Sequence, residues 1–183
     1  MSEYEVEQKY RIKNPAVFRR ELKKNGAKKR HAGKEFNELY DLGDMLLKNG
    51  RVLRLRHYGA EEGILTYKGK REKGRHKKRL EIETPVDQKK VRTILKLLGY
   101  TLKAVYNKYR EEYSLGRAVV TLDHMPKLGW FAEIEAPSRL IAKTEKLLLL
   151  GPEDKEEKSY VEMQMSLEGK RYPWKVHRSK LNS

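Results

Sequence analysis

Hydrophobic and polar positions alternate along most of this chain, in short runs broken by glycine, proline and asparagine. Strict alternation sends successive side chains to opposite faces of an extended strand. The first run, residues 3–13, sets the pattern. Tyr4, Val6, Tyr10 and Ile12 take one face, and Glu3, Glu5, Glu7, Lys9, Arg11 and Lys13 take the other. Further strands are predicted over residues 51–58, 64–68, 79–86, 100–115, 117–124 and 130–136, with a short extended piece at 36–40 after a basic connector at 28–34. Period-3.6 runs predict helices between. One opens at Asn14-Pro15 and closes at Asn25-Gly26. A short one covers 42–48. A third runs from a cap at Asp87 to Leu98, with Val91, Ile94, Leu95 and Leu98 as its apolar stripe. A fourth runs from Pro137-Ser138 to Leu150, and a last short one covers 159–167. Residues 69–78 read as a mobile basic loop and 154–158 as a charged linker. Helices that separate groups of strands without regular alternation predict an α+β fold with a largely antiparallel sheet.

The charged strand faces then need a place. Helices can cover the apolar faces, and in a closed sheet the charged faces would look inward at one another. Acids fall in pairs at i, i+2: Glu5/Glu7, Glu81/Glu83 and Glu133/Glu135. Such neighbours lie roughly 7 Å apart on one strand face and repel unless a cation joins them. A single pair is the ordinary solvated face of a half-exposed strand. Three pairs in one chain are not so easily explained.

With 183 residues the chain is expected to form one domain, 1–168, followed by a basic tail, 169–183, in which Tyr172 and Trp174 pack back. It has no cysteine, which removes disulfides and thiolate metal sites. It shows no secretory signal and no apolar run near the roughly 18 residues of a membrane span, so a cytoplasmic location without a membrane partner is expected. The formal net charge of +16 points to an anionic partner. The 26 acidic residues, many of them patterned, suit a purely electrostatic nucleic-acid binder poorly.

If the charged faces line one cavity, its acids are Glu5, Glu7, Glu81, Glu83, Asp123, Glu133 and Glu135. Its bases are Lys9, Arg11, Arg54, Arg56, Lys68, Arg79, Lys108 and Arg110. Guanidinium forks bind phosphate oxygens in bidentate fashion, and lysine adds point charge. Carboxylates hold magnesium or manganese, which also bind phosphate and screen it from the acids. The competing explanation is a set of exposed cross-strand salt bridges of little energetic weight. The histidines show no metal-ligand spacing, and His57, His76 and His124 read as surface or turn residues. Tyr106, Tyr109 and Tyr113 read as sheet packing.

These residues resemble the CYTH domain, the triphosphate tunnel metalloenzymes, which include class IV adenylyl cyclases and thiamine triphosphatases. Glu5-Val6-Glu7-Gln8-Lys9 resembles the family's Glu-x-Glu-x-Lys signature. Leu53-Arg54-Leu55-Arg56, Thr66-Tyr67-Lys68-Gly69, Arg79-Leu80-Glu81-Ile82-Glu83, Lys108-Tyr109-Arg110, Thr121-Leu122-Asp123 and Leu128-Gly129-Trp130-Phe131-Ala132-Glu133-Ile134-Glu135 follow in the family's order. The last of these and Ser159-Tyr160-Val161-Glu162-Met163 resemble the CyaB-like branch most. Glu38-Leu39-Tyr40-Asp41 departs from the family's second-strand motif and is left out of the site.

The resemblance implies an eight-stranded antiparallel closed barrel, a tunnel with a charged lumen and helices outside. It implies a triphosphate-bearing small molecule as partner and Mg2+ or Mn2+ as cofactor. Glu5, Glu7, Glu133, Glu135 and Asp123 would be metal ligands. Lys9, Arg54, Arg56, Lys68, Arg79, Lys108 and Arg110 would grip phosphate. Lys9, Glu81 and Glu83 would be catalytic. The expected activity is hydrolysis of a triphosphate, inorganic or organic such as ATP, with cyclisation of ATP to cyclic AMP and pyrophosphate as the alternative. A nucleic-acid-binding domain is the weaker alternative, resting on the basic run 68–79 and the tail. Oligomeric state is left open, with a homodimer as one candidate.

Overall fold

The computed structural model describes residues 4–72, 74 and 76–169. Tyr172, Trp174 and the rest of the tail beyond Gly169 lie outside the described residues. The strands are β1 (Tyr4–Ile12), β2 (Lys28–Asp41), β3 (Val52–His57), β4 (Glu62–Lys68), β5 (Lys77–Asp87), β6 (Thr101–Leu115), β7 (Ala118–Met125) and β8 (Gly129–Glu135). The helices are α1 (Pro15–Lys24), α2 (Met45–Lys48), α3 (Gln88–Leu97), α4 (Ser138–Leu147) and α5 (Tyr160–Leu167). The strands form one closed antiparallel barrel in the order β1-β5-β4-β3-β2-β6-β7-β8. β1 closes it, pairing Glu5 with Arg79 of β5 on one side and Glu7 with Glu135 of β8 on the other. The α+β fold and the closed eight-stranded barrel expected from the sequence are both present.

Local chemistry fixes the elements much as the sequence predicts. The Asn14 side chain accepts from the Ala16 and Val17 amides at 3.1 Å, and Pro15 supplies a first-turn residue that needs no partner. Asp87 caps α3 through the Lys90 amide at 3.0 Å. The outward strand faces are apolar. Tyr10, Val120, Leu122, Ala132 and Ile134 pack with Phe18 and Leu22 of α1 and Ile141 of α4. Tyr40 and Leu55 pack with Val91 and Leu95 of α3.

The connector expected at 28–34 and the short piece at 36–40 are instead one long strand. β6 presents an edge running to Leu115, and β2 pairs with it from Lys28–Ser114 to Asp41–Thr101. Backbone pairing along that edge overrides the low strand propensity of a lysine-rich run. Asp41 turns into α2, where its carboxylate accepts from the Leu46 and Leu47 amides at 2.9 and 2.8 Å.

The charged linker 154–158 is a strap across one end of the barrel. The Glu156 amide donates to the Lys9 carbonyl at 2.9 Å, and Lys155 bridges to Tyr10. Lys77 Nζ donates to the Glu156 carbonyl at 2.8 Å. Behind the strap, Tyr160 and Met163 of α5 pack on Met125 and Phe131. His76, just before β5 and expected at the surface, is only 5% exposed. At the opposite end Tyr58 and Val119 are exposed. Among the described residues no helix is long and apolar enough to cross a membrane.

Candidate active site

The alternation that makes much of the outside apolar turns charged residues from all eight strands inward. Their register builds three contiguous groups of ion pairs. The first centres on Asp123, fully buried in β7. It accepts from Lys108 Nζ at 3.0 Å and from Arg110 Nε and Nη2 at 2.8 and 2.7 Å. Arg110 Nη2 also donates to Glu133 at 2.8 Å, and Lys9 Nζ lies 3.3 Å from the same carboxylate. The second centres on Lys68, 3.1 Å from Glu5 and 2.6 Å from Glu81. Arg79 joins it through Glu5 at 3.2 Å and Glu7 at 3.8 Å. In the third, Glu83 accepts from Thr66 at 2.8 Å, from Arg56 at 3.1 Å and from Arg54 at 3.4 Å. The sequence-predicted residues therefore share the inner face of the barrel, Arg11 excepted, with Glu83 and Glu135 exposed on it. Arg11 sits at the strap-covered end, where it bonds Glu156 at 2.7 Å and lies over the Phe131 ring.

Two interior residues escape the sequence reading. Glu35 is fully buried, 3.3 Å from Lys108 Nζ and 3.7 Å from Arg110 Nη1, and it accepts from Asn37 at 3.0 Å. It lies at the junction between the connector expected at 28–34 and the extended piece expected at 36–40. The alternation Glu35, Asn37, Leu39 was the available signal once β2 is seen as continuous. Tyr160 reaches in from α5. Its hydroxyl donates to Asp123 at 2.7 Å, and Lys9 Nζ stands 3.6 Å from its ring centroid, with Lys108 at 4.6 Å. Helical periodicity marks Tyr160 only as apolar. By contrast Glu38 and Tyr40 face outward, with Glu38 taking Arg92 of α3 at 2.7 Å.

The electrostatics divide the carboxylates. Burial works against ionisation of Glu5, Glu35 and Glu133, and nearby cations outweigh it. Lys68 and Arg79 hold Glu5 well below the usual range, Lys108 and Arg110 do so for Glu35, and Lys9 and Lys108 for Glu133. Glu81 is pushed up to about 8 by burial and by its contact with Glu5. Glu135 rises to about 7 through burial and the charges of Glu5 and Glu7. Among the described residues no three His, Asp or Glu side chains converge as a ready set of metal ligands. The donor chemistry still suits a hard divalent cation. Glu7 and Glu135 are register partners, and Glu135 makes none of the ion pairs that hold Glu5, Glu7 and Glu133.

The crowding at Glu135 has a measurable consequence. Its folded pKa lies above its ordinary 4.5, so the folded chain binds the extra proton, and stability falls as pH rises from about 4.5 to about 7. Glu135→Gln removes that loss. Discounted for the exposure of Glu135, the effect is ~1 kcal/mol, so the metal-free variant should melt about 2–4 °C above the parent at pH 8. At pH 4.5 the gap should close. A gap independent of pH would rule out the crowding.

The CYTH domain family model matches residues 3–160. Among solved structures, PH1819 from Pyrococcus horikoshii OT3 is similar at 29% identity and TM-score 0.76, covering 89% of this chain and 99% of that one. PH1012 from the same organism is 26% identical, with TM-score 0.74, covering 86% of this chain and 98% of that one. HpAC1 from Hippeastrum, described by a dominant triphosphatase activity, shares the fold at 15% identity and TM-score 0.64, covering 92% and 98% of the two chains. No curated protein matches this chain.

Proposed function

The chain belongs to the CYTH domain family, and from that premise we propose that it is a divalent-metal-dependent phosphohydrolase that cleaves a triphosphate inside its barrel. The observation that carries this is a pair of unused donors. Arg54 Nε and Arg56 Nε are buried and without a hydrogen-bond partner among the described residues. Buried guanidinium donors are costly to leave unmade, and phosphate oxygens fit them in charge and geometry.

Lys9, Arg54, Arg56, Lys68, Arg79, Lys108 and Arg110 then bind the phosphate oxygens. Glu5, Glu7, Glu133 and Glu135 would hold Mg2+ or Mn2+, which when bound neutralises phosphate charge. Asp123 is the further candidate, although its donors already fill it and equally suit it to fixing Lys108 and Arg110. Binding is an exchange of partners. Lys9, Lys68 and Arg79 leave their carboxylates for phosphate, and the freed Glu5, Glu7 and Glu133 become available to the metal, while Arg54 and Arg56 keep Glu83 through Nη2 and take phosphate through Nε. Phosphoryl transfer asks chiefly for such positioning and charge neutralisation. In hydrolysis, water adds to the terminal phosphorus and the bond to the bridging oxygen breaks, giving phosphate and a diphosphate. Glu83, held ionised by Arg56 and Arg54 against the effect of burial, accepts a hydrogen bond from the attacking water. Glu81, whose affinity for a proton is raised by burial and by Glu5, supplies a proton to the leaving oxygen. Lys9 balances charge beside Glu133.

A class IV adenylyl cyclase is the alternative, favoured by the likeness of residues 128–135 to the CyaB-like branch. Products separate the two. Incubation with ATP, inorganic triphosphate and thiamine triphosphate, each with magnesium or manganese, should give ADP and phosphate from ATP. Inorganic triphosphate should show a kcat at least equal to that of ATP. Cyclic AMP with stoichiometric pyrophosphate as the main products would assign the chain to the cyclases.

A further inference from the structure

An aromatic pair stands at the end of the barrel opposite the strap, unused by the phosphate chemistry. Tyr58 follows β3 and is 41% exposed, yet its hydroxyl donates to Glu35 Oε2 at 3.1 Å, inside the barrel. His31 of β2 is also exposed and meets the Tyr58 ring edge-on, with centroids 4.8 Å apart at 70°. Neither belongs to any of the three apolar clusters of the described residues. The backbone makes room for this arrangement. The β2 register shifts between Lys29 and His31, which re-aims the side chain. Gly33 has no Cβ, and one built there would lie 3.2 Å from His31 Nε2.

Tyr58 thus spans from solvent to the buried cations. Glu35, its hydrogen-bond acceptor, is the carboxylate shared by Lys108 and Arg110. Arg56 lies two residues before Tyr58, just before β3 ends at His57. A triphosphate held by Arg56, Lys108 and Arg110 with its terminal phosphate inward directs its organic substituent to this pair. We propose that Tyr58 and His31 form the platform for the base of a nucleoside triphosphate and determine specificity at the organic end of the substrate. Every base offers a π-face, so the platform accepts purines and pyrimidines alike. This assignment rests on the triphosphate function above. It adds binding shared by ground and transition states, so it lowers KM for nucleotides without raising kcat over that for inorganic triphosphate.

Calorimetric titration of the full chain, in magnesium, with the non-hydrolysable ATP analogue AMP-PNP and with inorganic triphosphate tests it without turnover. Tyr58→Leu should weaken the analogue about ten-fold and inorganic triphosphate by less than about two-fold. Tyr58→Phe keeps the ring and loses only the bond to Glu35, so it should retain most of the analogue's affinity. His31→Ala should weaken the analogue alone, by less than Tyr58→Leu. Equal losses for both ligands in Tyr58→Leu, or a parent that binds the analogue no more tightly than inorganic triphosphate, would overturn the platform and leave the hydrolase standing. A parent that binds neither ligand would overturn both.

Discussion

Replacing Asp123 with alanine is expected to lower the melting temperature by roughly 10 °C and to abolish triphosphate turnover. Asp123 has no exposed surface, and four donor atoms converge on it from Lys108, Arg110 and Tyr160. Truncation leaves an ammonium and a guanidinium buried with only Glu35 and Glu133 to balance them. Removing one partner of a buried charge pair costs about 3–5 kcal/mol, because the desolvation of the survivors is no longer offset. In a chain of this size each kcal/mol is worth about 2–4 °C. Turnover disappears for a related reason: the two cations lose the anchor that fixes their direction. Asp123→Asn keeps the shape and half of the acceptor capacity, so its loss should be intermediate. Thermal melts paired with turnover assays below both melting temperatures check this. A shift under about 2 °C would mean that Glu35 and Glu133 alone suffice.

Excess EDTA should reduce turnover of inorganic triphosphate by about 10³-fold or more, with recovery on adding magnesium or manganese. The interior carries at least as many carboxylates as cations, so a bare triphosphate entering it meets Glu5, Glu7, Glu133 and Glu135 unscreened. Neutralisation by a divalent cation is worth several kcal/mol, and each 1.4 kcal/mol is about ten-fold in rate. A rise in melting temperature with added Mn2+, absent in Glu5→Gln/Glu7→Gln, provides a check independent of activity. Full turnover in EDTA together with no thermal shift would refute the metal requirement.

Much of this architecture is legible in the sequence because the inward faces are written in period two. Glu5 and Glu7, Arg54 and Arg56, and Lys108 and Arg110 each sit at i, i+2, on one face of their strand. Local pattern cannot show which strands neighbour one another, and closure of the sheet was expected chiefly from the family resemblance. The failures are those of non-local structure. Residues 28–34 look like a loop because their lysines disfavour strands, and only the long edge of β6 makes them one. Splitting β2 at that junction leaves Glu35 out of both pieces and hides it. Tyr160 was concealed differently, since its place inside the barrel depends on a strap whose anchors are backbone atoms of Lys9 and Glu156. Arg11 keeps the alternation of β1, but the strap supplies Glu156 before the interior can claim it.

The closing of the barrel through β1 also governs how the chain reaches its fold. The first strand made is held by partners that come much later, and Gln8 finally bonds Glu157, 149 positions on. Such distant pairing makes folding slow, on the millisecond-to-second scale, once the chain is complete. On the ribosome, at about 5–20 residues per second, β1 waits on the order of ten seconds for β8. Until β5 is made both its edges lack partners, and until β8 is made one still does, the form most prone to join strands of other chains. Its protection is the row Glu5, Glu7, Lys9, charges that repel or desolvate badly in any foreign sheet. The residues proposed to meet metal and phosphate in the finished barrel therefore first serve as its guard against aggregation.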